Sequence, residues 1–138
     1  MNLFKIVIIS ILLPSLAFAK TNYFSEGLVH YKKKEFDKAK FKFEQDIVFN
    51  PKNEKSYLYL SKIFNSQDKN ELEEKNLKTV ILLNPKNQEA TYNLAQLKLK
   101  NSDFKGSKEL IDTLLIFCTD YCKKSENLKV KILNSLKK

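Results

Sequence analysis

The sequence predicts an all-α fold: a short α-solenoid of three helix-turn-helix repeats closed by a C-terminal capping helix. Three observations carry this expectation. Asn50-Pro51-Lys52-Asn53 returns letter for letter 34 residues later as Asn84-Pro85-Lys86-Asn87, and a fixed period of that length marks stacked helical hairpins. Gly27, Ser61 and Ala95 also stand 34 apart and are all small, while Phe43, Leu77 and Ile111 stand at the same interval and are all bulky and apolar. Within each unit, apolar residues recur every three or four positions, the period of a helix with one buried face.

The first 19 residues stand outside this pattern. Met1–Lys5 is a short basic lead, Ile6–Leu16 is an apolar run interrupted by Pro14, and Ala17-Phe18-Ala19 places small residues at a cleavage site. This is the layout of a secretory signal peptide cut after Ala19. A membrane-spanning helix needs about 20 apolar residues, so the run is short for an anchor, though an uncleaved N-terminal anchor is the other reading. The expected mature chain, Lys20–Lys138, is one domain in a periplasmic or secreted setting.

Counting from Lys20 gives repeats 20–53, 54–87 and 88–121, followed by a capping segment 122–138. In the first, Tyr23, Gly27 and Tyr31 mark one helical face, a turn falls at Lys32–Glu35, and Phe36, Ala39, Phe43 and Ile47 resume the spacing on a second helix. Pro51 stops that helix, because proline lacks an amide hydrogen and disfavours helix at Asn50. Asn53 is a good cap for the next one. The second repeat presents Tyr57, Leu60, Ser61 and Phe64, then Leu77, Val80 and Ile81, then Pro85. The third presents Leu94, Ala95, Leu97 and Leu99, then Phe104, Ser107, Ile111, Leu114 and Leu115. In the last segment Leu128, Ile132 and Leu136 are spaced by four, with lysines elsewhere on the wheel, as a helix that closes the exposed end of an array requires.

Charge and composition narrow the function classes. The formal net charge is +9, and all 25 basic residues are lysine. Arginine is the residue suited to bidentate recognition of phosphates and base edges, so its absence argues against nucleic acid as a partner. His30 is the single histidine and has no Cys or carboxylate cluster around it in sequence. With only Gly27 and Gly106, no phosphate-cradling loop can form, and Glu73-Glu74 reads as a solvated helix face. The chain carries no expected catalytic residue, metal site or cofactor. Cys118 and Cys122, at the junction of the last repeat and the cap, are candidates for a disulfide in an oxidising compartment. Two reduced, partly buried thiols are the other reading.

The units resemble tetratricopeptide repeats, over about 102 residues. Tyr23, Gly27, Tyr31, Ala39, Phe43 and Pro51 carry the resemblance best, and it points to a small exported bacterial member of that family. Several positions depart from the pattern: Glu26 for leucine, Asp46 and Glu73 for small apolar residues, Thr91 for an aromatic and Thr119 for the closing proline. The resemblance implies that the first helix of each repeat lines a concave groove for a protein or peptide partner. On that basis the groove residues are Phe24, Leu28, Tyr31, Leu58, Lys62, Tyr92, Gln96 and Leu99, rimmed by Lys32, Lys55 and Lys100. Family members that clamp heat-shock chaperone C-termini resemble each other in Lys, Asn and Arg groove residues. Here the matching places hold Phe24, Leu28, Tyr59, Glu89 and Asn93, which argues against that partner class.

The functional expectation is therefore a non-enzymatic, exported adaptor or scaffold that holds a peptide or helix in its groove during assembly of an envelope complex. The alternative is a lysine-rich binder of an anionic envelope glycan or lipid. Thiol chemistry at Cys118 and Cys122 is a third class.

Overall fold

The computed structural model describes residues 22–137, so the leader and its cleavage site lie outside the described residues. Among the described residues the chain forms seven α-helices: α1 (Tyr23–Lys32), α2 (Phe36–Phe49), α3 (Glu54–Ser66), α4 (Asn70–Leu83), α5 (Gln88–Lys100), α6 (Phe104–Phe117) and α7 (Cys122–Leu136). Each packs against its sequence neighbours, giving three hairpins stacked in order with α7 laid on α6 and α5. None of these helices is long and apolar enough to cross a membrane.

The boundaries follow from local chemistry. Asn22, Asn53, Asn87 and Asp103 cap α1, α3, α5 and α6, their side-chain oxygens accepting the amides of Ser25, Lys55, Ala90 and Gly106. Such caps satisfy amides that the first helical turn leaves unpaired. The turn inside each hairpin is left-handed at Lys34, Asp68 and Ser102, with φ of 60°, 52° and 61°. These are 34-residue equivalents that the sequence pattern did not flag, since none is glycine. Lys32, expected in the first turn, instead completes α1.

Small and large side chains meet across each hairpin. Gly27 and Phe43 are both buried, and a Cβ on Gly27 would lie 2.6 Å from Phe43 Cε1. Ser61 and Ala95, the equivalents of Gly27 in the next hairpins, are buried as well, as are Leu77 and Ile111, the equivalents of Phe43, and Ala95 and Ile111 share one core cluster. Three core clusters result. Ala39, Phe43, Leu60, Ile63 and Phe64 join α2 and α3; Leu58, Leu77, Val80, Ala90, Leu94 and Leu97 join α3 to α5; Ala95, Ile111, Leu114, Leu128 and Ile132 join α5 to α7.

Polar clasps hold each hairpin to the next. Asp46 accepts hydrogen bonds from Asn50 Nδ2 (3.0 Å), Asn53 Nδ2 (2.6 Å) and Ser56 Oγ (2.5 Å), tying α2 to the start of α3. Glu54 Oε1 accepts from Asn84 Nδ2 at 2.9 Å and Asn87 Nδ2 at 3.4 Å. The repeated Asn-Pro-Lys-Asn motif thus aims two carboxamides at one carboxylate in each turn. In the third turn Thr119 replaces proline, and Gln88, the 34-residue equivalent of Glu54, takes over. Its Oε1 accepts from the Thr119, Asp120 and Tyr121 amides, and its Nε2 donates to Thr119 Oγ1.

The cap is fastened by a Cys118–Cys122 disulfide (Cα–Cα 5.3 Å) and by Lys129, whose ammonium lies 2.7 Å from Asp112 on α6. Leu128 and Ile132 are buried, whereas Leu136, aligned with them by spacing, is exposed.

Gly27→Ala is expected to destabilise the protein by about 1–3 kcal/mol, the usual cost of forcing a methyl into a packed core. Phe43→Leu in the same chain should recover part of that loss. Urea denaturation of the two single variants and the double variant measures the coupling.

Candidate partner-binding site

A cavity of about 560 Å³ opens between the first helices of the three hairpins. Tyr31 of α1, Ser61, Lys62, Asn65 and Ser66 of α3, Glu73 of α4, and Asn93, Gln96, Leu97 and Lys100 of α5 line it. Of the eight expected groove residues it brings together Tyr31, Lys62 and Gln96. Lys62 is held in place twice, 2.7 Å from Glu89 Oε1 and 4.7 Å from the centre of the Tyr59 ring. Tyr31 meets Tyr59 edge-on at 5.0 Å and Phe36 at 5.7 Å.

The other five stand elsewhere. Leu58 is only 8% exposed and sits in the core shared by α3, α4 and α5, so its place on the groove stripe is corrected: α5 covers it. Phe24 meets Phe43 at a tilt and Tyr59 edge-on, and both Phe24 and Leu28 pack on the first core cluster. Tyr92 lies against Tyr121 at 5.4 Å, and Leu99 packs on the third cluster. Among the rim lysines, Lys100 lines the cavity and reaches Asp68 Oδ1 at 2.9 Å and Asn70 Oδ1 at 3.2 Å. Lys55 stands in the first turn of α3, away from it.

Sequence reasoning missed Asn65, Ser66, Asn93 and Glu73 as lining residues, and placed Ser61 and Leu97, which also line the cavity, on the packing faces. The first two continue the helical stripe that begins at Lys62, and Asn93 lies one turn before Gln96, so extending the stripes by a turn would have found them. Glu73 departs from the solvated helix face that its sequence context predicts. It is 3% exposed, with Asn65 Nδ2 donating to both carboxylate oxygens at 3.0 and 3.1 Å. Burial pushes its carboxyl above the usual carboxylate range, against the opposing pulls of the Asn65 hydrogen bonds and the Lys100 charge. His30, also set aside, clasps the first hairpin turn through Glu35, 2.5 Å away, and that bond holds the Glu35 carboxyl below its usual range. Among the described residues no three His, Cys, Asp or Glu side chains gather as a metal site would need.

Solved structures match this arrangement over most of its length. The first TPR domain of Spaghetti (RPAP3), solved with an HSP90 peptide, superposes with a TM-score of 0.76 at 15% identity, covering 84% of this chain and 91% of that one. The TPR2B domain of yeast Sti1, in complex with an Hsp70 peptide, gives 0.74 at 13% identity, covering 81% and 94%. The chain has the tetratricopeptide-repeat fold. The Yersinia enterocolitica type III secretion translocator chaperone SycD is similar too, with a TM-score of 0.75 at 11% identity and 84% of each chain covered. No known family's sequence profile matches the chain, and no curated protein matches it. Within this tetratricopeptide-repeat array, four of the five places matched to a chaperone clamp are packed or paired, and Asn93 lines the cavity. Phe24 meets Tyr59 edge-on, Leu28 packs on the first core cluster and Glu89 is engaged by Lys62.

Because burial raises the proton affinity of Glu73, the folded state binds more protons than the unfolded state between the unfolded and folded pKa values, and this group's contribution to stability falls as pH rises through that window. Glu73→Gln is therefore expected to raise the urea midpoint at neutral pH, with the gain shrinking as pH falls below the range. Midpoints measured from pH 4 to pH 8 in both chains check the sign.

Proposed function

We propose that the chain is an exported interaction adaptor, without chemistry of its own, that holds an extended peptide or helical segment of a partner protein in the cavity between α1, α3 and α5 while an envelope complex is assembled. The cavity's chemistry carries this reading. Asn65, Asn93 and Gln96 offer carboxamides that both donate and accept hydrogen bonds, which suits a peptide backbone, while Lys62 and Lys100 suit an acidic side chain. The Lys100–Asp68 pair is solvent-exposed, so an incoming carboxylate can replace Asp68 at little cost. Tyr31 and Leu97 supply apolar surface beside these polar groups. Similar structures add support, since the RPAP3 and Sti1 domains were solved with peptides and SycD is a secretion chaperone. Export rests on the Met1–Ala19 sequence pattern alone.

Selection of a displayed library of random peptides on the immobilised chain is expected to enrich segments bearing Asp or Glu. Their binding should fall at least about tenfold on Gln96→Lys/Lys100→Glu, the equivalent of losing about 1.4 kcal/mol. Enriched peptides that bind this variant as well as the wild type would place the site elsewhere.

A further inference from the structure

The second helices of the three hairpins end in a recurring exposed aliphatic residue that neither the core nor the cavity uses. Val48, Leu82 and Ile116 are 34-residue equivalents in the last turns of α2, α4 and α6, and they are 75%, 81% and 85% exposed. A single exposed aliphatic side chain is ordinary in any protein. The same one in every repeat, at this exposure, is a surface of another kind. Phe49, 66% exposed, extends it.

These turns lie at one end of the array. Tyr23, the first residue of α1, stacks on Phe49, the last of α2, at 5.4 Å. Glu54, at the start of α3, bonds Asn84 just beyond α4, and Gln88, at the start of α5, bonds Thr119 just beyond α6. The helix starts and inter-repeat loops at this end expose Lys52, Lys55, Lys86, Lys123 and Lys124 against two exposed acids, Asp120 and Glu126. Glu54 and Glu89, also here, are engaged by Asn84 and Lys62. The opposite end also exposes lysines, Lys32, Lys33, Lys34, Lys38, Lys69, Lys100 and Lys105, but interleaves them with Asp37, Asp68 and Glu71 and has, among the described residues, no exposed aliphatic residue recurring in every repeat. The chain also enters the fold here: α1 begins at Tyr23, preceded in sequence by the apolar run Ile6–Leu16.

We infer that this end of the array rests on an anionic lipid bilayer, with Val48, Leu82 and Ile116 in the acyl–headgroup boundary and the loop lysines on the lipid phosphates. Aliphatic side chains ringed by lysine are what such a surface attracts, the first through burial and the second through the negative surface potential. The cavity, between the first helices, stays open to a partner.

The natural chain has no tryptophan, so Leu82→Trp places a sole tryptophan in the row, excited selectively at the red edge beyond tyrosine absorption, and Leu72→Trp places one at the far end of the same helix, about 15 Å away. Each full chain is mixed with vesicles of phosphatidylglycerol and phosphatidylethanolamine whose acyl chains carry bromine. The emission at position 82 is expected to shift to the blue and be lost to bromine, while that at position 72 keeps its colour and intensity. Val48→Glu and Ile116→Glu added to Leu82→Trp, phosphatidylcholine in place of phosphatidylglycerol, or high salt should each restore the emission at 82. Equal emission at both positions on vesicles that sediment the chain would overturn the inference, since the leader alone would then be the attachment. A blue shift at position 82 that follows protein concentration without vesicles would overturn it too, assigning the row to a second copy of the chain.

Discussion

Asp46 is the hinge pin of the structure. It is 3% exposed in the seam between the first two hairpins, and three donors from the following turn and helix converge on it. A buried carboxylate without partners is among the costliest groups a fold can contain, whereas one that accepts several short hydrogen bonds is a strong, directional joint. Asn53, one of its donors, also caps α3. The position of α3 fixes Lys62 and Asn65, and through them one wall of the cavity. Glu54 and Gln88 play related parts in the next two seams, so the array is coupled by a polar residue at every joint as well as by its apolar core.

The architecture was legible because two signals repeat at the same interval. The Asn-Pro-Lys-Asn echo marks where helices stop, and the small–large pairs at Gly27/Phe43, Ser61/Leu77 and Ala95/Ile111 mark how they pack. The departures from the repeat pattern were harder to read. Asp46 and Glu73 both stand where a small apolar residue is usual, and sequence spacing gives them the same status. In the structure Asp46 gathers three donors and ties two hairpins, while Glu73 has Asn65 alone and carries a raised affinity for its proton. Such a difference depends on which side chains arrive from the neighbouring helix, information that no single repeat contains.

The candidate site was legible to the same extent. Stripes at helical spacing found Tyr31, Lys62 and Gln96 but also selected Leu58, because the face that meets the next hairpin and the face that meets solvent are separated by less than one turn. Only the stacking of α5 over α3 decides between them. The exposed row at Val48, Leu82 and Ile116 was in plain view in the sequence at the 34-residue period. It reads as core by hydrophobicity, and exposure alone distinguishes it from Leu77 or Ile111. One array thus offers two surfaces of different chemistry, a polar cavity between its first helices and an apolar, lysine-flanked end where its second helices stop.

The most direct test of this account is the urea stability of Asp46→Ala. If Asp46 is the joint that couples the first two hairpins, its removal strands Asn53 and Ser56 and should lower stability by about 3 kcal/mol or more, as breaking a buried charged hydrogen-bond network does. Unchanged or increased stability would contradict it, because alanine is the kind of residue the repeat pattern prefers at this position and Asp46 would then be a tolerated misfit.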